Sequence, residues 1–127
     1  MPVKQLLCLL VMFSVLGCAG HKVQTGPSRG GHVETGQASF YAAKYHGQKT
    51  ASGERLDQQA LTAAHPSLPF GTLVNVTNLK NKKSVRVRIN DRGPFVKGRV
   101  IDLTQAAFRR IGPIEAGLID VRIEVVQ

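Results

Sequence analysis

From Ser84 to Ile89 polar and apolar side chains alternate, with Val85, Val87 and Ile89 set between Ser84, Arg86 and Arg88. A period of two predicts a strand with one buried face. The run ends in Asn90-Asp91-Arg92-Gly93-Pro94-Phe95. There Gly93 admits unusual backbone angles and Pro94 lacks an N–H, so strand pairing stops. The same rhythm returns at the far end, where Val121, Ile123 and Val125 alternate with Arg122 and Glu124. Leu73, Val74 and Val76 lead into a turn at 78–82, which pairs the segment 72–78 with 84–90 as a hairpin. Segments 35–41, 60–64, 99–102 and 119–126 complete six expected strands. One helix is expected, with Thr104 as N-cap and Ala106, Ala107, Phe108 and Ile111 on its apolar side. Arg109 and Arg110 lie near its end, and Gly112-Pro113 stops it. Six short strands with a single short helix predict an all-β fold, a small closed barrel.

The first residues have a different pattern. Lys4 precedes an apolar run from Leu6 to Leu16, followed by Gly17-Cys18 and then polar residues. A charged start, a short apolar middle and small residues at the cut predict a signal peptide over 1–17. The run falls short of the roughly 20 residues a membrane-spanning helix needs. Val15-Leu16-Gly17-Cys18 resembles a bacterial lipobox, which makes Cys18 the expected lipidation site and mature N-terminus. An ordinary signal peptide with an incidental cysteine is the alternative. Ala19 after the cysteine resembles the sorting signal for outer-membrane delivery, so the expected location is the cell envelope, facing the periplasm. Residues 18–33, polar and Gly-rich without periodicity, form the expected lipidated start and tether, leaving 34–127 as the barrel. Cys8 falls in the discarded segment, so the barrel has no disulfide and depends on its core.

Charge narrows the partners. The chain carries 17 Lys and Arg against 8 Asp and Glu. Such a surface favours polyanions, but secretion and the scattered charges argue against nucleic acid. Only Lys80, Lys82 and Lys83 cluster, around a turn. An anionic wall or membrane surface fits better. No cofactor is expected: there is no phosphate-binding Gly-rich loop and no nucleophile elbow. No metal is expected either, since His21, His32, His46 and His65 show no ligand spacing on one element.

The candidate chemistry centres on Asp91, a carboxylate delivered to the rim of a sheet by a rigid strand, where function is often carried. Capping of the turn by its side-chain oxygens is the competing role. Glu54 follows Ser52-Gly53 and is equally readable as an exposed turn residue, and His65 before Pro66 as a partner for loop carbonyls. Tyr41, Arg88 and Arg92 could line a groove, though packing or exposure suits each. Asp102 precedes the helix, where pairing with N–H groups at the helix start is the expected role.

Taken in order, several motifs carry a family resemblance. They are Gly36-Gln-Ala-Ser-Phe-Tyr41, Thr50-Ala-Ser-Gly-Glu54, Leu61-Thr-Ala-Ala-His65, Leu68-Pro-Phe-Gly-Thr72, Asn90-Asp-Arg-Gly-Pro-Phe95 and Arg99-Val-Ile-Asp-Leu103. Over roughly 35–126 the chain resembles the rare lipoprotein A family. The resemblance implies a six-stranded double-psi β-barrel, anchored as a lipoprotein and acting on peptidoglycan. It also implies lytic transglycosylation, a carbon–oxygen lyase reaction that cleaves glycan strands poor in stem peptides and leaves 1,6-anhydro-muramyl ends. Carried over by position, the catalytic residues are Asp91, with Glu54 and His65, and Asp91 is the acid. Tyr41, Arg88 and Arg92 become substrate-binding candidates. Many members add a glycan-binding SPOR domain that these 127 residues do not contain. Affinity is then expected from the barrel's own groove or from a division or wall-remodelling partner. Related barrels bind polysaccharide without cleaving it, so a non-catalytic peptidoglycan-binding scaffold is the alternative function.

Overall fold

The computed structural model describes residues 31–127. The signal segment, Cys18 and the tether up to residue 30 lie outside the described residues. Six strands follow in order: β1 Val33–Phe40, β2 Thr62–Ala64, β3 Leu73–Asn78, β4 Ser84–Asp91, β5 Arg99–Leu103 and β6 Ile119–Val125. One helix, α1, spans Gln105–Ile111, and short 3-10 turns cover Ala43–Tyr45 and Ile114–Ala116. The strands close a barrel in the order β1-β5-β2-β4-β3-β6. β1 with β5 and β2 with β4 run parallel, and the remaining four pairs run antiparallel. This is the double-psi arrangement, and it matches the expected fold class. The expected strand at 60–64 is shorter, confined to Thr62–Ala64.

Alternation fixes which side of each strand faces inward. Val74 and Val76 of β3 face the interior with Val85, Val87 and Ile89 of β4, and all five are buried. Val121 and Ile123 of β6 join them, with Ile101 and Leu103 of β5. Ala38 and Ala63 supply small side chains where strands crowd. α1 brings Ala107, Phe108 and Ile111 into this core, and the Phe108 ring meets Phe40 edge-on at 4.8 Å.

The helix begins at the expected cap, Thr104, and its first N–H groups find further partners from a distant segment. Thr104 Oγ1 accepts from Ala107 N–H at 3.3 Å and donates to Ala60 C=O at 2.6 Å. The N–H groups of Gln105 and Ala106 go to the side-chain and backbone oxygens of Gln58. Asp102, expected at these N–H groups, instead pairs with Arg99 at 2.6 Å and accepts from Ser39 Oγ. The parallel register Ser39↔Asp102 places the two side by side.

Close approach of β1 and β5 explains Gly36. A Cβ there would lie 2.4 Å from Val100 Cγ1 and 3.1 Å from Gly98 O. A stiff β-branched side chain and a backbone carbonyl cannot both yield. Gly36→Ala is therefore expected to cost about 1–3 kcal/mol, as overpacking does. A lower urea midpoint at unchanged slope would confirm it.

Candidate active site

β4 ends at Asp91, and the loop 50–54 folds over that end. Gly53 turns the loop with φ +96, and its N–H donates to Thr50 C=O at 2.9 Å. Ser52 N–H then reaches Asn90 C=O at 3.3 Å, and Ala51 N–H donates to Asp91 Oδ1 at 2.8 Å. Arg92 N–H donates to the same oxygen at 2.9 Å. The other oxygen, Oδ2, accepts from Tyr41 Oη at 2.6 Å. Asp91 thus has one oxygen held by two backbone donors and one held by a phenol. Tyr41 follows β1, and its carbonyl is fixed by the amides of Gln58 and Gln105, both at 3.0 Å. Burial first, then the hydrogen bond to Asp91, pushes the Tyr41 phenol well above its ordinary range, with smaller pushes from the Asp91 and Asp102 charges. The phenol keeps its proton and donates it here to Asp91. A cleft of about 50 Å³ opens here, lined by Tyr41, Tyr45, Gln48, Lys49, Thr50, Leu56 and Asp91.

Glu54 sits beside this centre without touching Asp91. Arg88 grips its carboxylate with two N–H groups, at 2.8 and 3.1 Å, and Asn90 Nδ2 adds a third bond at 3.0 Å. Those bonds hold Glu54 below the usual carboxylate range, Arg88 first and Asn90 next. Glu54 is therefore ionised and cannot supply a proton near neutrality. A lowered native value stabilises the fold above the unfolded-state value of about pH 4.3, and that contribution fades as pH falls through the native value. The pair is exposed, so the effect is small. The stability gap between the wild type and Glu54→Gln is expected to be flat from pH 5 to 7 and to shrink below about pH 4.3. Urea midpoints across that range would test it.

His65 and Arg92 are turned away from the Asp91 carboxylate. The backbone joins them to it, since His65 N–H donates to Asp91 C=O at 3.1 Å. The buried ring, however, accepts at Nδ1 from Ser67 and Leu68 N–H, at 3.0 and 3.1 Å. Its Nε2 therefore carries the hydrogen and donates to Glu34 Oε1 at 2.6 Å. The Arg92 guanidinium donates to Leu68 C=O at 2.8 Å and lies 4.1 Å over the Phe70 ring. Both residues brace the 65–70 loop beneath the site. Of the six site residues expected from sequence, Asp91 and Tyr41 meet directly, while Glu54 and Arg88 pair alongside.

The fold also gathers His32, Glu34 and His65, with ligand atoms within 4.8 Å of one another. The expectation of no metal rested on the lack of ligand spacing on any one element, whereas the fold brings the His32 ring edge-on to His65 at 6.1 Å from different elements. The donor set fits a metal poorly. With Nδ1 already accepting two N–H bonds, His65 could offer Nε2 only as a fully deprotonated imidazolate.

A cavity of about 800 Å³ lies away from this chemistry. Its lining includes Asn78, Leu79, Lys80 and Leu118, at the opposite end of β4 from Asp91. An eight-residue strand puts about 23 Å between the two ends.

A closed six-stranded barrel with a carboxylate clasped at its rim by two backbone N–H groups and a phenol defines a double-psi β-barrel protein with an acidic centre. The family model described as lytic transglycolase matches residues 33–123, and the chain belongs to that family. It is 51% identical over 107 residues to the endolytic peptidoglycan transglycosylase RlpA of Pasteurella multocida, covering 84% of this chain and 36% of that protein. It is 57% identical over 95 residues to the probable endolytic peptidoglycan transglycosylase RlpA of Synechocystis, covering 75% and 30%. The chain spans about a third of the length of these curated relatives. Among solved structures it is similar to the Streptomyces papain inhibitor, with a TM-score of 0.63 and 26% identity, covering 76% of this chain and 96% of that one.

Proposed function

We propose that this barrel cleaves peptidoglycan glycan strands by lytic transglycosylation, with Asp91 as the single acid and base. The observation that carries this reading is the asymmetry of the Asp91 carboxylate. Oδ1 is filled by two backbone donors, which leaves Oδ2, beside Tyr41, as the oxygen that carries the proton when the carboxyl acts as the acid. From there it passes to the glycosidic oxygen as the bond to the anomeric carbon breaks. The muramyl C6 hydroxyl attacks that carbon, forms the 1,6-anhydro ring, and returns its proton to Oδ2. Because the nucleophile belongs to the substrate itself, proximity replaces a second carboxylate. Glu54, ionised and gripped by Arg88, orients the groove through Asn90. Arg92 and His65 hold the loop that carries the turn. Lipidation at Cys18 and anchorage in the outer membrane, facing the periplasm, place the barrel within reach of the wall. The activity for which the relatives are named supports this reading.

The test is to incubate the purified protein with sacculi and with strands stripped of stem peptides, then identify the products by mass spectrometry. Anhydro-muramyl ends are expected, with stripped strands preferred. Reducing muramic acid ends would instead make the reaction a hydrolysis, and co-sedimentation without products would make the barrel a binding module.

A further inference from the structure

The sequence motif that contains Asp91 ends in Phe95, a residue for which the chemistry above has no task. Among the described residues it is the most exposed large apolar side chain, at 79%. Neighbouring aromatic rings have occupants. Arg92 covers Phe70, and Phe40 packs on Phe108 inside the barrel. Tyr45, which lines the Asp91 cleft, is 41% exposed and has Lys44 Nζ 5.3 Å from its ring centroid.

Phe95 lies four residues along the turn from Asp91, and Val96 next to it in the chain is exposed as well. Its ring stands on the side of Gly93 where a side chain would project, since a Cβ there would lie 3.8 and 3.9 Å from Cε2 and Cδ2. The absence of a side chain at Gly93 keeps that side of the ring open. A ring carried on the catalytic turn and largely uncovered is suited to a flat partner with apolar C–H faces. Pyranose rings are such partners, since their axial C–H groups are slightly positive and can lie against the negative face of an aromatic quadrupole. Its place on the turn that begins at Asp91 selects the glycan over any other occupant.

We propose that Phe95 is a positioning residue, a stacking platform for the sugar next to the bond that Asp91 cleaves. The inference rests on the glycan-cleaving reading and adds a binding subsite to it. Stacking acts equally on the ground and transition states, so its loss raises KM and leaves kcat nearly unchanged.

Two variants test this. Phe95→Ala is expected to raise KM for stripped strands about tenfold, with kcat within about twofold and an unchanged melting temperature. The chain contains no Trp, so Phe95→Trp introduces a single fluorescent reporter at the platform. Combined with Asp91→Asn, which prevents turnover, its emission is expected to shift blue and saturate as stripped strands are added. A KM for Phe95→Ala within twofold of wild type, with flat emission from the tryptophan variant, overturns the platform while the cleavage assay keeps the catalytic reading. A saturable shift without cleavage by the wild type keeps the platform and overturns the catalytic reading. Flat emission together with no cleavage overturns both.

Discussion

Asp91→Asn is expected to lower glycan cleavage by about a thousandfold, in the middle of the range for a lost general acid. The variant keeps the size of the side chain and most of its bonds. Its amide oxygen can still accept from Ala51 and Arg92 N–H, the two donors that hold Oδ1. Its amide nitrogen faces Tyr41, whose hydroxyl can rotate to accept where it formerly donated. The fold should therefore survive, with a melting temperature within a few degrees of wild type. What disappears is a proton that can be given and taken back at Oδ2. Activity is measured as anhydro-muramyl product released per unit time from stripped strands. Retention of more than a tenth of the wild-type rate would remove Asp91 from the acid role and leave it as a clasp for the turn.

The second large effect lies in the core. Phe108 is fully buried on the inner face of α1, with its ring against Phe40. Phe108→Ala should cost about 3–5 kcal/mol, from lost transfer free energy and a residual cavity. Domains of this size have only about 5–15 kcal/mol in total, so a substantial unfolded fraction is expected well below the wild-type midpoint. The damage should also reach the site. α1 begins at Gln105, whose side chain holds Tyr41 C=O, and Gln58 joins the helix start to the same carbonyl. Loosening the helix loosens the phenol that fixes Asp91. Urea denaturation gives the stability loss, and Phe108→Leu, which restores most of the volume, should recover more than half of it.

The strands and the helix were legible because their signals are local. Val85, Val87 and Ile89 announce an inward face without reference to any other segment, and Thr104 to Gly112 spell a capped helix. The barrel's closure and the carboxylate at its rim could be read as well, the latter because a turn motif ends an alternating run. What sequence could not supply were partners set by crossovers. Asp102 looked like an acceptor for the helix start, yet the register with β1 gives it Ser39 and Arg99, while Gln58 takes the helix N–H groups. His65 seemed a groove residue, yet a two-residue turn fills its Nδ1 and Glu34 takes its Nε2. Gln58, Gln105 and Glu34 carried no local signal at all, and nothing local marked Asn90 of the turn motif as a partner for Glu54. Each acts across an interval of 31 residues or more.

The strand order β1-β5-β2-β4-β3-β6 has a consequence for how the chain can be made. β6, the last of the barrel's strands to be synthesised, lies between β1 and β3, both made before it. Until Val125 is available, both of those strands present open edges, which recruit other chains. No N-terminal portion can complete the ring, and closure must wait for contacts between residues far apart in sequence, which slows folding. A chain cut short before β6 is thus an aggregation hazard rather than a weakened enzyme, and the nascent protein depends on protection until its final strand arrives.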